Sequence, residues 1–214
     1  MEARVLVSEI RGMLSDVHDL LLGHPFVAGV EEGQLSLLQL RAFAGEQQHI
    51  ISSDLRSVAE LVARGGGELF LNVLEGERAA LAALEPFAFA LGMSSADLEH
   101  YEPRPGAQAY AGYMAWLGSH GSPAEAAAAF LVNFEAWGEN CGRLSRALTS
   151  RHGLRPEDVR FLDLFAEPAE GFEAKALAVI QEGLDQGVQP QRIRRAARFL
   201  QAYELMYWDT LANR

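Results

Sequence analysis

Apolar side chains recur at three- and four-residue intervals through nearly the whole of this 214-residue chain. In residues 36–64, the apolar positions that share one helix face include Leu37, Leu40, Ala44, Ile51 and Leu55. This spacing is typical of amphipathic helices, because side chains three or four residues apart lie on the same face. No stretch alternates polar and apolar residues between hairpin turns, which is the pattern expected of β-strands. The chain is therefore predicted to be all-α.

Local start and stop signals divide the chain into eight helical segments, which we assign to one domain, residues 1–214. The clearest start is Ser122-Pro123-Ala124-Glu125, with Ser as N-cap, Pro at the first helical position and Glu at the third. Gly23 is expected to end the first helix and Gly65-Gly66-Gly67 the second. The predicted helices cover about residues 3–22, 36–64, 68–91, 106–117, 122–149, 156–164, 172–186 and 190–213.

The overall charge argues against nucleic-acid binding. The chain has 29 acidic and 18 basic side chains and a formal net charge of −11, whereas phosphate backbones are bound by basic surfaces. The only dense basic cluster comprises Arg192, Arg194, Arg195 and Arg198. We interpret it as a solvated helix face, and no nucleic-acid partner is expected.

No feature of the sequence indicates a membrane or secreted protein. No apolar run reaches the roughly 18 residues needed to span a bilayer. Met1–Arg4 is not the basic start of a signal peptide with an apolar block after it. The single cysteine, Cys141, excludes an intramolecular disulfide and suits a reducing compartment. We expect a cytoplasmic protein with no membrane partner.

Four short motifs occur in a recognisable order along the chain. They are His24-Pro25-Phe26 with Gly33 and Leu35, Phe89-Ala90-Leu91-Gly92, Glu102-Pro103, and Tyr203-Glu204 with Tyr207-Trp208. Together, over almost the whole chain, they resemble the thiaminase-II (TenA) and pyrroloquinoline-quinone synthase (PqqC) group. That resemblance implies a heme-oxygenase-like bundle of seven to eight helices around a central pocket. It also implies association into dimers or tetramers, and we expect a homodimer.

Four pocket positions of the thiaminase-II enzymes, among them the nucleophile, are altered in this chain. Aligned from His24, the family's pocket Asp falls on Gln47 and a Tyr one turn later on Ile50. The nucleophilic Cys falls on Asn133, and the Tyr that follows it falls on Trp137. Cleavage of the thiaminase type needs an activated thiolate, which asparagine cannot supply. The resemblance therefore does not carry that mechanism over.

Cys141 does not replace the missing nucleophile in this alignment. It lies two turns beyond Asn133 on the same predicted helix. We interpret Cys141 as a packing residue, because an isolated thiol commonly behaves as a small buried apolar group.

The remaining site positions match the family or supply aromatic surface. Glu204 matches its terminal-helix Glu, and we predict it as the catalytic residue because burial can raise a carboxyl pKa toward neutrality. The alternative is that Glu204 only hydrogen-bonds pocket side chains. The predicted ligand-binding residues are Gln47, Tyr110, Asn133, Trp137, Tyr207 and Trp208. Their aromatic rings come from three helices and could surround a ring compound, or could simply pack in the core.

No metal site and no cofactor are predicted. Glu46 and His49 form an E-x-x-H pair, and Glu135 and Glu139 lie one turn apart on another helix. Di-iron relatives of this fold, however, also use a His-x3-Asp-x2-His pattern, and the comparable positions here are Phe165, Ala169 and Phe172. We place Glu46 and His49 on the flank or surface of the bundle. His18, alone in the first helix, is not interpreted as a heme ligand.

The leading hypothesis is that the protein binds a small aromatic or heterocyclic metabolite. In the catalytic version of this hypothesis, it is a diverged, metal-independent enzyme of cofactor metabolism. One alternative is a non-catalytic regulatory or interaction protein on the same scaffold, which the lost Cys and Asp favour. The other is a degenerate metal-dependent oxygenase. For the homodimer, an amphipathic face near the N-terminus offers Val5, Ile10, Met13 and Leu20.

Overall fold

The computed structural model describes residues 1–167 and 169–213, and within them the chain forms eleven α-helices, one 3₁₀ helix and no β-strand. The helices are α1 Ala3–Met13, α2 Ser15–Leu22, α3 Pro25–Glu31, α4 Leu37–Ala63, α5 Gly67–Ala90, α6 Ser95–Glu99, α7 Pro105–His120, α8 Pro123–Arg151, α9 Arg160–Ala166, α10 Phe172–Asp185 and α11 Pro190–Ala212, with the 3₁₀ helix at Pro156–Val159. The all-α prediction is confirmed.

The start of α8 follows the predicted capping pattern. Ser122 Oγ accepts a hydrogen bond from the Glu125 backbone N–H, and Glu125 Oε2 accepts one from the Ser122 N–H at 2.9 Å. Pro123 occupies the first helical position, where its missing N–H would have no intrahelical partner. These contacts satisfy backbone groups at the start of the helix that carries Asn133 and Trp137.

The N-terminal region has more helices than predicted. The expected helix over residues 3–22 is two helices, because the backbone at Leu14 leaves the helical conformation with φ −107° and ψ 9°. The His24-Pro25-Phe26 motif lies outside the predicted helices, and in the structure it opens α3. His24 Nδ1 accepts a hydrogen bond from the Phe26 N–H at 3.2 Å, so histidine acts as the N-cap.

The long helices α4, α5, α7, α8 and α11 form the body of the bundle. Helix α4 packs against α5 and α7, while α11 packs against α7 and α8. Helices α9 and α10 cover the other side of α8. Among the described residues, no helix combines the length and hydropathy that a membrane span requires.

Gly138 allows α8 and α9 to approach closely. A Cβ atom at this position would lie 2.7 Å from the backbone oxygen of Phe165, too close for any larger residue without movement. At this close approach, the ring centroids of Phe165 and Trp137 lie 5.7 Å apart, at an interplanar angle of 78°. The resulting aromatic pair separates two cavities described below.

The structure corrects the predicted position of Glu46, which is 0% exposed rather than on the surface. Its Oε1 accepts hydrogen bonds from the Tyr101 hydroxyl at 3.0 Å and from the Arg104 backbone N–H at 3.0 Å, and Oε2 accepts one from Gln108 Nε2 at 2.7 Å. The Arg104 guanidinium also donates to Oε1 at 3.2 Å. Glu46 thus anchors the segment between α6 and α7.

Candidate functional site

Six of the seven predicted site residues line one small cavity, which lies between α4, α5, α7, α8, α9 and α11. This inner cavity has a volume of about 30 Å³, and the predicted residues on its wall are Gln47, Tyr110, Asn133, Trp137, Glu204 and Tyr207. The seventh, Trp208, contacts Glu204 without lining the cavity in the described part of the chain. A volume of this size holds roughly two water molecules.

Asn133 is the centre of a hydrogen-bond network at this cavity. Its Nδ2 donates to Glu204 Oε2 at 2.5 Å and to Gln201 Oε1 at 3.1 Å. Its Oδ1 accepts a hydrogen bond from the Tyr110 hydroxyl at 3.2 Å. The other carboxyl oxygen of Glu204 accepts from Trp208 Nε1 at 3.1 Å. The amide therefore fixes the carboxyl group relative to helices α7, α8 and α11.

The Glu204 side chain is 2% exposed, and its environment favours the protonated form. Burial raises its pKa to about 8, although the hydrogen bonds from Trp208 and Asn133 act in the opposite direction by favouring the charged form. At neutral pH the group is therefore mainly a neutral acid that carries a proton next to the cavity. Such a group can serve as a general acid.

Gln47 and Tyr207 form a second polar contact on the cavity wall. Gln47 Nε2 donates a hydrogen bond to the Tyr207 hydroxyl oxygen at 2.9 Å. Burial raises the pKa of Tyr207 well above its ordinary value, so the phenol remains neutral. The indole of Trp137 stacks on Phe43 at 6.2 Å between centroids, which holds the aromatic wall in place.

Three polar residues at the site were not predicted from the sequence: Asp54, Glu77 and Gln201. Asp54 and Glu77 line the inner cavity, and Gln201 contacts Asn133. A signal for two of them existed, because Asp54 lies two helical turns after Gln47 and Gln201 lies one turn before Glu204. The sequence contains no such signal for Glu77, because the position of its side chain depends on how α5 packs against α4.

Asp54 and Glu77 are both buried carboxyl groups. Burial raises the pKa of Glu77 to about 8, and burial together with the nearby Glu77 charge raises the pKa of Asp54 well above its ordinary value. Tyr110 is close enough that these carboxylates, after burial itself, also raise the pKa of its phenol. The inner cavity therefore contains three carboxyl groups and two phenols, each favoured in its neutral form.

A larger cavity adjoins the inner one. This outer cavity has a volume of about 820 Å³ and lies between α1, α5, α8, α9 and α10. The two cavities share Glu77, Phe134, Trp137 and Phe165 as walls. Its volume falls within the range of pockets that hold small organic ligands.

The positions compared with iron ligands lie on the outer cavity. Phe165, Ala169 and Phe172 all line it and carry no metal-binding atom in their side chains. Glu135 and Glu139 also line it, but Glu135 accepts a hydrogen bond from Arg11 at 2.5 Å. Within residues 1–167 and 169–213, no three His, Cys, Asp or Glu side chains are grouped so that they could hold a metal ion.

His49 and Cys141 lie away from both cavities as far as the chain is described. His49 Nε2 is 2.9 Å from the Tyr101 carbonyl oxygen and helps to hold the segment that Glu46 anchors. Cys141 is fully buried, and burial raises the pKa of its thiol well above the ordinary value. A neutral, inaccessible thiol of this kind is not an activated nucleophile.

Solved structures with the same fold come from bacteria and archaea. A TenA homologue of Pseudomonas syringae pv. tomato superposes with a TM-score of 0.82 at 14% identity, covering 100% of this chain and 96% of that one. A TenA homologue of Pyrococcus furiosus gives 0.76 at 19% identity, with 96% and 99% covered. A domain from Shewanella denitrificans described as having a heme oxygenase-like fold gives 0.75 at 15% identity, with 96% and 91% covered.

These likenesses confirm the predicted heme-oxygenase-like fold. No protein among the curated sequences is significantly similar to this chain. The sequence profile of the TENA/THI-4/PQQC family, in contrast, matches residues 14–213, which include every predicted site residue. The chain therefore belongs to the TENA/THI-4/PQQC family.

Proposed function

We propose that this protein binds a small aromatic or heterocyclic metabolite, with the ring in the outer cavity and a polar substituent in the inner one. The observation that carries the proposal is the junction itself: a cavity of ligand size, walled by Phe134, Trp137 and Phe165, adjoins a buried cluster of polar groups. Small-molecule sites commonly combine a largely apolar cavity with a few placed polar groups.

The size of each cavity determines how the ligand is oriented. The inner cavity of about 30 Å³ is too small for a ring, but it accommodates an amino or hydroxyl group. The outer cavity of about 820 Å³ accommodates the ring against Trp137 and Phe165. A substituent that enters the inner cavity meets Glu204 or the groups bonded to it.

In the catalytic form of this proposal, Glu204 is the proton donor. Its carboxyl group is buried beside the inner cavity and is mainly protonated at neutral pH, because burial raises its pKa to about 8. The proton passes to a ring substituent, or to a water that bridges to one, and Asn133 and Trp208 stabilise the carboxylate that remains. Asn133 is not a nucleophile, so the reaction proceeds through acid–base steps without a covalent enzyme intermediate.

The proposal is tested by a thermal-shift screen of ring metabolites that includes aminopyrimidines and quinone precursors. A compound that binds only the folded protein raises the melting temperature by mass action. Compounds that bind are then incubated with the protein, and their products are sought by mass spectrometry. Glu204→Gln is compared with Glu75→Gln, which changes an exposed glutamate on α5.

We expect at least one ring compound to stabilise the protein, and Glu204→Gln to abolish turnover of that compound while Glu75→Gln leaves it unchanged. Binding with no turnover by the unaltered protein would support the non-catalytic alternative. A broad panel that produces no shift would contradict the proposal. Turnover that persists in Glu204→Gln would remove Glu204 from the reaction.

A further inference from the structure

The inner cavity has no positive side chain to balance its carboxyl groups. Asp54, Glu77 and Glu204 all line it, whereas no lysine, arginine or histidine does so in the described part of the chain. Elsewhere the buried carboxylates have cationic partners: Glu46 is paired with Arg104 at 3.2 Å and Glu125 with Arg192 at 2.9 Å. The carboxyl groups at the inner cavity are therefore an exception within this protein.

Within the described residues, no hydrogen bonds like those of Glu204 hold Asp54 or Glu77. Among residues 1–167 and 169–213, no partner reaches the buried Asp54 Oδ1. Neither carboxyl group takes part in an ion pair of the described chain. The Asp54 side chain is only 3% exposed, so bulk water does not replace the missing partner. An unpaired buried acceptor of this kind destabilises the empty protein.

The position of Glu77 connects this acidic pair to the ligand-sized space. Glu77 lines both the inner and the outer cavity, while Asp54 lines the inner one. The shared walls beside Glu77 are the rings of Phe134, Trp137 and Phe165. Aromatic faces attract cations through their quadrupole. The aromatic walls and the carboxyl groups therefore both favour a positively charged ligand.

We infer that Asp54 and Glu77 bind a protonated nitrogen of the ligand, an ammonium or amidinium group, at the junction of the two cavities. The inference rests on the proposed function and narrows its ligand class to a ring compound that carries a cationic N–H donor. An ammonium group is close to the size of a water molecule, which matches the inner cavity of about 30 Å³. Its N–H bonds supply the partner that Asp54 Oδ1 lacks. The positive charge of the ligand favours the ionised form of these carboxyl groups, which burial keeps neutral in the empty cavity, so the hydrogen bonds become charge-assisted.

The test uses three probes that share one ring and differ in charge: benzamidine, benzamide and benzoate. Benzamidine is a cation at neutral pH, benzamide is its neutral isostere, and benzoate is an anion. Affinities are measured by isothermal titration calorimetry on the unaltered full chain and on Asp54→Asn and Glu77→Gln. The matched controls are Glu60→Gln and Glu75→Gln, which change exposed glutamates on the same two helices, α4 and α5.

We expect benzamidine to bind roughly tenfold or more tightly than benzamide, because hydrogen bonds to charged groups contribute more than neutral ones. Benzoate should bind weakest. Asp54→Asn and Glu77→Gln should each remove most of the preference for the cation, while Glu60→Gln and Glu75→Gln keep it. The melting temperature of each variant verifies that it is folded.

Equal affinity for benzamidine and benzamide would overturn the inference but leave the proposed function standing, since a ring would still bind. A cation preference that persists in both Asp54→Asn and Glu77→Gln would also overturn it, because the selectivity would then originate elsewhere. If none of the three probes binds, the inference fails, and the metabolite screen decides the proposed function separately.

Discussion

Nδ2 of Asn133 lies 2.5 Å from Oε2 of Glu204, and this hydrogen bond joins two positions that the family resemblance assigns to different roles. The position expected to hold a nucleophilic cysteine instead holds an amide that orients the acid. The same amide accepts a hydrogen bond from Tyr110 at 3.2 Å. The residue at the position that the resemblance assigns to the nucleophile thus hydrogen-bonds the carboxyl group that we propose as the proton donor.

The first prediction is that Glu204→Gln destabilises the protein moderately, by about 1–2 kcal/mol. Both carboxyl oxygens accept hydrogen bonds, from Asn133 and from Trp208. Glutamine offers one oxygen and one NH₂ group, so one of these donors faces another donor. The loss stays below the roughly 3–5 kcal/mol of a broken buried ion pair, because neither partner is charged.

Urea unfolding at about pH 4.5 measures this effect, with Glu75→Gln as the control for an exposed glutamate. At higher pH the raised pKa of Glu204 lowers the stability of the unaltered protein and would offset the loss. A loss of 3 kcal/mol or more would indicate a cationic partner and contradict the network described here. No measurable change would indicate that the carboxyl group is not held by Asn133 and Trp208.

The family resemblance, with its alignment from His24, indicated residues that the structure brings to one cavity. Gln47, Asn133 and Glu204 were predicted from the family resemblance, and the structure brings all three to the inner cavity. Glu77 could not be found in this way, because its face of α5 is decided by packing against α4. When a helix packs against two neighbours, a single sequence does not show which of its buried faces lines a cavity.

Glu46 shows a different limit of sequence reasoning. An E-x-x-H pair on a helix face is equally consistent with a surface position, a metal site or a buried anchor. Its actual role depends on Arg104, which is 58 residues away in the chain. Long-range partners of this kind determine whether a charged residue is buried, and the local pattern does not contain them.

The second prediction follows from the buried position of Glu46. Glu46→Gln should lower the free energy of unfolding by about 2–3 kcal/mol, because it removes the charge that Arg104 faces and places an NH₂ group near hydrogen-bond donors. Glu60→Gln, on the same helix but exposed, should change it by less than about 0.5 kcal/mol. Equal effects of the two substitutions would contradict the anchoring role of Glu46.

The third prediction concerns Cys141. Its thiol is fully buried, and burial raises its pKa, so it should not react with a thiol reagent such as dithionitrobenzoate while the protein is folded. Unfolding in urea should expose one equivalent of thiol per chain, since the sequence contains one cysteine. Rapid modification of the folded protein at neutral pH would show an accessible thiolate and reopen a nucleophilic role.

The fourth prediction is a homodimer. Val5, Met13 and Leu20 are exposed, at 49%, 55% and 57%, as the predicted interface requires. Ile10, by contrast, is fully buried within the chain, because the α1 turn places it against the core, and it is unavailable to a partner. Sedimentation at tens of micromolar should give twice the 23.4 kDa chain mass. A single monomeric species at that concentration would contradict the prediction.

The fifth prediction is that stability falls as the pH rises from about 5 to about 8. Glu77 and Glu204 have an ordinary pKa of 4.5 that burial raises to about 8 in the folded chain. Between these values the folded protein holds protons that the unfolded chain has released. The stabilisation is fully present below 4.5 and is lost by about 8, at up to about 1.4 kcal/mol per pH unit for each group.

Glu77→Gln removes one of these titrations, and it also removes a charge that would otherwise be buried beside Asp54. The variant should therefore lose less stability than the unaltered protein as the pH rises, and it should be the more stable of the two at about pH 8. Urea midpoints measured across this range test the slope, with Glu75→Gln as the control expected to parallel the unaltered protein. If Glu77→Gln also runs parallel, Glu77 is already ionised in the folded chain. A positive group would then have to balance the charge of the buried acidic pair.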